Sequence, residues 1–283
     1  MTVVVHTLLI LLAASSFAGP ANPFFAMDTI ARGRPDVVVP MLKELGYDGL
    51  GGAAGDEAMA KALETNGLKF FNGYLTLSLN DAHPTLDDRL MGVMDRMEGY
   101  NASLWLAVQK VQSSDKTFAN SSPTADGIAV MKLREIADYA KTRGVKVALY
   151  PHTGFWIERV EDAIRIADKL NRDDVGVTFN LCHWLKVEGS ERDPLPALKA
   201  VMPRLMFVTI NGADTGDTKL MAWNRLIQPL GSGSYDAVGF MQKVWEAGYT
   251  GPVGFQGFGI AQDPKTVLAK TMVAWREMND RRR

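Results

Sequence analysis

Eight times along this chain a short strand-like run gives way to a helix-like one, the hydrophobic period switching from 2 to 3.6 at each change. PFFAMDT precedes PDVVVPMLKELG, YDGLGG precedes EAMAKALETNG, and LKFFNGYLTLSL precedes TLDDRLMGVMDRMEGYN. ASLWLAVQK leads to the helix around GIAVMKLREIADYAKTRG, VKVALYPH to VEDAIRIADKLNRDD, and VGVTFNLCHW to PLPALKAVMPR. LMFVTINGAD leads through a long loop to YDAVGFMQKVWEAG, and GPVGFQGFGI to PKTVLAKTMVAWREMND. Helices stop at Gly46, Gly67, Gly144 and Gly248 and a strand follows at once. Glycine there takes the left-handed conformation that ends a helix without a Cβ penalty. Strand, helical crossover and parallel strand are the repeating unit of α/β proteins. Eight such units in about 260 residues predict a single α/β domain, a closed parallel (β/α)8 barrel. An open doubly wound sheet is the alternative, but no G-x-G-x-x-G follows the first strand.

The helix-to-strand links are tight, whereas the strand-to-helix loops Gln112 to Pro123, Leu185 to Pro194 and Gly212 to Ser234 are long. In barrels the strand C-terminal face carries the active site, and those loops belong to it. They bring Trp156, Trp184 and Trp223 to that face, as pocket lining or as packing on the barrel rim. With 31 Lys and Arg against 32 Asp and Glu, no basic field exists to hold a phosphate backbone, which argues against a nucleic-acid partner. At the N-terminus an apolar run from Leu8 to Ala14 is too short to span a bilayer and meets the small-x-small pattern Ser16-Phe17-Ala18. Residues 1–18 are therefore read as a signal peptide despite the absence of an early Lys or Arg, and residues 19–283 as the barrel. That implies a secreted or periplasmic protein with no stable membrane association after cleavage; a misassigned start would make it cytoplasmic. The single Cys182 forms no internal disulfide.

Polar residues at strand ends are the site candidates, because a barrel interior is otherwise apolar. They are Asp28, Gln109, Tyr150, His152, Asn180, His183, Asn211, Asp214 and Gln256, with Trp184 beside them. Taken singly, each has a structural explanation: Asp28 as a turn cap, Asp214 as a loop anchor, either histidine as a satisfied core group. Converging on one mouth, they are costly to leave unpaired and suit a polar ligand.

The order of motifs resembles the xylose isomerase-like TIM barrels, the broad group of sugar and sugar phosphate isomerases and epimerases with AP endonuclease relatives. The resemblance rests on MLKELGYDGL (Met41 to Leu50), VKVALYPH (Val145 to His152), VGVTFNLCHW (Val175 to Trp184) and PLGSGSYDAVGFMQKVWEAGYTGPVGFQG (Pro229 to Gly257). It implies a divalent metal held by a Glu ending strand five, an Asp on strand six with a His three residues later, and a Glu ending strand eight. Here those positions read Tyr150, Asn180, His183 and Gln256, so the three anionic ligands are neutral and only the His remains. A Mn²⁺ or Mg²⁺ site favours carboxylate oxygen, so no cofactor is assigned. A metal on His152, His183 and Asp214 is the weaker alternative.

The resemblance, with the residues left at the mouth, leads to an enzyme acting on a small-molecule carbohydrate by enolisation-type proton transfer, an isomerase or epimerase. His152 and His183 start nearest to working pH and are the expected acid–base pair. Asp28, Gln109, Tyr150, Asn180, Asn211, Asp214, Gln256 and Trp184 are the expected substrate contacts. The alternative is a carbohydrate-binding barrel that kept the mouth and lost the chemistry. An AP endonuclease is disfavoured, since its metal cluster needs the missing carboxylates.

Overall fold

Strand β1 (Phe24–Met27) opens a closed barrel whose order is that of the sequence, with β2 (Gly49–Gly52), β3 (Lys69–Ser78), β4 (Ser103–Gln109), β5 (Lys146–Leu149), β6 (Val175–Asn180), β7 (Leu205–Ile210) and β8 (Val253–Phe255). The computed structural model describes residues 22–53, 56–80, 85–112 and 118–282; the segment read as a signal peptide lies outside them. All eight neighbouring pairs are parallel, and β1 closes on β8 with Phe24, Phe25 and Ala26 opposite Val253, Gly254 and Phe255.

Helices α1 (Pro35–Leu45), α2 (Glu57–Thr65), α3 (Asp88–Met97), α4 (Asp126–Thr142) and α5 (Val160–Leu170) follow the first five strands, α2, α3 and α4 after loops with undescribed residues. Two helices, α6 (Leu181–Glu188) and α7 (Leu195–Val201), follow β6. The short α8 (Trp223–Leu226) and α9 (Ala237–Glu246) follow β7, and α10 (Pro264–Asp280) ends the barrel. The expected glycine stops hold: Gly46, Gly67, Gly144 and Gly248 all have positive φ.

The interior shows why particular strand residues are small. Phe25 stacks on Phe71 at 4.5 Å and meets Trp105 and Phe207 edge-on at 6.2 Å. A Cβ on Gly51 or Gly254 would lie 2.5 or 2.6 Å from the Phe25 ring, so glycine on both flanking strands gives this ring its room. These aromatics plug the barrel beneath its C-terminal mouth.

One element departs from expectation. The run VGVTFNLCHW is not a single strand: β6 stops at Asn180, and Leu181 begins α6. His183 therefore stands in the first turn of a helix rather than at a strand end. Residues 181–185 are all buried, so this turn shows no amphipathic period, and a continuous apolar run reads the same in a strand or a buried helix. The stretch from Leu185 to Pro194 is correspondingly shorter as a loop, because α6 occupies its start.

Candidate functional site

A cavity of about 620 Å³ opens at the strand C-terminal ends, within the size range of small-molecule sites. Asp28 reaches it from the end of β1, Tyr74 from β3, Tyr150 and His152 from the end of β5, Cys182 and His183 from α6, and Gln256 from the end of β8. Trp223 of α8 and Phe258 form its rim, 36% and 54% exposed.

The two imidazoles face each other with centroids 4.2 Å apart, tilted by 42°. Thr153 lies between their Nδ1 atoms and sets both tautomers. Its carbonyl lies 2.8 Å from His152 Nδ1 and can only accept, so His152 carries its proton on Nδ1. Its N–H can only donate, and it reaches His183 Nδ1 at 3.4 Å, with the Thr153 hydroxyl at 3.2 Å from the same atom. His183 therefore keeps its proton on Nε2. One threonine thus leaves a basic lone pair at Nε2 of His152 and an N–H donor at Nε2 of His183. Neither Nε2 has a hydrogen-bond partner among the described residues. Burial holds the His183 pKa well below 6.5, reinforced by the charge His152 would carry; burial also lowers His152, against the Thr153 carbonyl and Glu158. Both rings are neutral at neutral pH.

Around this pair the cavity carries little charge. Tyr150 meets His183 edge-on at 5.5 Å and Tyr74 at 5.2 Å. Burial pushes its phenol well above 10, and a hydrogen bond with the Gln256 side chain offsets only part of the rise. Tyr74 is pushed up by burial to about 12, as is the Cys182 thiol, so neither supplies an anion at neutral pH. Gln256 is anchored by its backbone N–H to the Ile210 carbonyl at 3.0 Å, and its Oε1 accepts from the Phe258 N–H at 3.1 Å. Asp28 is the carboxylate of the lining, raised from 3.8 by burial against the opposing pull of Arg32.

Other expected contacts are placed elsewhere. Asn180 is 2% exposed and spends both ends of its amide inside the barrel wall. Its Nδ2 donates to the Pro151 carbonyl at 3.2 Å and to Thr178 Oγ1 at 2.9 Å, and its Oδ1 accepts from Thr209 Oγ1 at 3.2 Å. It ties β6 to β7 and to the segment after β5, and is a satisfied wall residue outside the cavity lining. Asn211 is fully buried and donates to the Leu226 carbonyl at 2.7 Å, which fixes the loop carrying α8. Gln109 ends β4 half-buried, outside the lining. Trp184 packs on Phe179 at 5.2 Å under the Arg192 guanidinium, and Trp156 is fully buried with its indole N–H on the Ser122 carbonyl. Asp214 pairs with Arg225 at 2.9 Å, which holds its carboxyl below the usual range, and accepts from the Ser234 N–H. It is a loop anchor.

A metal carried by His152, His183 and Asp214 is thereby disfavoured. Among the described residues no three His, Cys, Asp or Glu side chains gather where an ion could be held. Tyr150 is neutral and Asn180 is committed to the wall, so the residues present do not fit the carboxylate site that the resemblance implied.

Sequence reasoning did not find Tyr74, Met27, Thr29, Ile227 or Phe258, all of which line the cavity. Tyr74 sits inside the long β3, where an aromatic reads as ordinary core. Trp223 was among the loop aromatics, and the structure selects it over Trp156 and Trp184 as the one that lines the cavity.

Comparison with known proteins agrees with this fold. Over 132 residues the chain is 27% identical to a 3-dehydroshikimate dehydratase of Pseudomonas aeruginosa, a match covering 44% of this chain and 20% of that protein. The chain thus spans about a fifth of the length of that relative. The fold is that of the IOLI protein, solved with a zinc atom, at TM-score 0.71 and 15% identity over 92% of this chain and 99% of that one. It is also that of a D-allulose 3-epimerase from Methylomonas sp., at TM-score 0.68 and 16% identity over 91% and 98%. The profile described as "Xylose isomerase-like TIM barrel" matches residues 39–278, most of the chain. The protein belongs to the xylose isomerase-like TIM barrel family.

Proposed function

We propose that the protein is an enzyme acting on a sugar or sugar derivative, in which His152 removes a proton α to a carbonyl and His183 donates a hydrogen bond to the oxyanion that develops. The observation that carries this is the fixed pair of tautomers around Thr153. A general base needs an unprotonated nitrogen near working pH, and His152 Nε2 is one. A neutral N–H aimed at the carbonyl oxygen stabilises the enolate, and His183 Nε2–H is one. Gln256 and Tyr150 line the same cavity as further hydrogen-bonding groups for the substrate. The names of the relatives, a dehydratase and a ketose epimerase, agree with chemistry next to a carbonyl. We place the reaction outside the cytoplasm, on the strength of the N-terminal sequence.

The test is hydrogen exchange. Ketohexoses and polyhydroxycyclohexanones are incubated with the protein in D₂O and the α-proton signals followed by NMR. Wild-type protein is expected to exchange the α-proton, and His152→Ala to slow exchange by about 10²–10⁴-fold. Saturable sugar binding without exchange would refute the catalytic assignment and leave a carbohydrate-binding barrel.

A further inference from the structure

We propose that Asp28 selects the substrate: its carboxylate binds a protonated amino group, so that the sugar taken at this mouth is a cationic amino sugar rather than a phosphorylated or acidic one. This deepens the sugar reading above and rests on it.

The argument begins with charge. Among the described residues that line the cavity, Asp28 alone carries a carboxyl and none is Lys or Arg. The two imidazoles share the lining, and burial keeps both neutral. A phosphate entering this mouth meets an anion and no cationic side chain, whereas an ammonium meets the complementary charge.

The second observation is that the carboxylate is left without a partner. Neither oxygen has a hydrogen-bond partner among the described residues, and the exposed Arg32 places its Nε on the Asp28 backbone carbonyl instead, at 3.1 Å. A turn cap would engage its oxygens with nearby N–H groups, and this one does not. The backbone is pinned from the other side, with the Asp28 N–H on the Gly51 carbonyl at 2.8 Å. Gly52, with φ of 93°, gives the carboxyl its room, since a Cβ there would lie 2.2 Å from Asp28 Oδ1. A fixed, half-buried carboxyl with no donor has lost water without replacement, and its pKa rises accordingly. An ammonium brings several N–H donors and the opposite charge, and so offsets that cost more fully than a hydroxyl does.

Aromatic rings stand in the same lining. The Gly257 N–H on Thr29 Oγ1, at 3.3 Å, ties the loop after β8 to the turn that holds Asp28, and Phe258 follows at once, 54% exposed at the rim. With Tyr74 and Trp223 it makes an aromatic lining, and ring faces attract a cation.

The experiment titrates three ketoses that differ at one carbon, D-fructose, 1-amino-1-deoxy-D-fructose and D-fructose 1-phosphate, by calorimetry at neutral pH. α-Deuterium exchange is read on the same samples. Wild-type protein is expected to bind the amino ketose at least about 10-fold more tightly than the neutral one, and the phosphate more weakly than either. In Asp28→Asn, which keeps the shape of the side chain, the preference for the amine should shrink to about twofold or less while the neutral ketose still binds. Equal Kd values for the amino and neutral ketoses in wild-type protein, or tighter binding of the phosphate, overturn the role of Asp28; exchange of the neutral ketose in that sample leaves His152 as the base. A preference that survives in an Asp28→Asn shown by circular dichroism to be folded also overturns it, since the amine is then held elsewhere. Preferred binding of the amino ketose without exchange upholds Asp28 and refutes the assignment of His152. Binding of none of the three overturns both.

Discussion

Replacing Asn180 by alanine separates a wall residue from a ligand contact. The substitution removes the donor to the Pro151 carbonyl and the acceptor for the Thr209 hydroxyl, both buried, while Thr178 Oγ1 keeps a bond to the Leu149 carbonyl at 3.5 Å. Two buried polar groups are thus left without partners, at about 1–3 kcal/mol each, or about 2–6 kcal/mol together. That is a large part of a typical stability of ~5–15 kcal/mol. At about 2–4 °C per kcal/mol, the expected fall in Tm is about 4–24 °C. Calorimetry or circular dichroism gives the Tm, and titration with a ketohexose or polyhydroxycyclohexanone gives the Kd. Because the side chain lies outside the cavity lining, the Kd of the folded fraction at low temperature should change less than about threefold. A Tm within a degree or two of wild type together with lost affinity would refute the reasoning and put the amide on the ligand.

Three further outcomes follow from the same geometry. His152 and His183 stay neutral in the folded chain below the 6.5 at which unfolded imidazoles titrate, so the unfolded state binds more protons there. Stability is therefore full above pH 6.5 and declines as pH falls below it, and His183→Gln should flatten that slope in Tm measured against pH. With Tyr150, Asn180 and Gln256 as the donor set, elemental analysis after dialysis should find far less than one Mn²⁺ or Mg²⁺ per chain; one retained ion would overturn the site as drawn. Intact-mass analysis of protein exported by a Gram-negative host should give a chain beginning near Gly19, and only full-length cytoplasmic protein would remove the signal peptide.

How far the sequence revealed this molecule depended on whether a feature was local. The barrel was legible because the change of period and the glycine stops act within a few residues of themselves. Helix α6 was not, since all of residues 181–185 are buried and the helical period has no polar face to show. The strand-end rule brought Asp28, Tyr150, His152, His183 and Gln256 to notice, and all five line the cavity. It could not separate them from Asn180 and Asn211. Whether a strand-end amide faces the mouth or the wall depends on carbonyls and hydroxyls of neighbouring segments, here Pro151, Thr209 and Leu226, far away in sequence. The role of Thr153 was hidden for the same reason: it acts through backbone atoms, which carry no sequence signal.

The replacements at positions 150, 180 and 256 form one coherent change. Three carboxylates carry three negative charges, which a divalent cation offsets only in part, and the replacements remove all three. With the carboxylates replaced, an imidazolium at His152 or His183 would find no anion in contact, and burial keeps both rings uncharged. Neutral imidazoles do not repel each other at 4.2 Å, which lets the two rings pack at a 42° tilt and share Thr153. The same neutrality leaves Asp28 as the carboxyl of the lining, raised by its burial and drawn back by Arg32. The lining thus holds the His152 imidazole after β5 and the Asp28 carboxyl after β1, on opposite sides of the closed barrel.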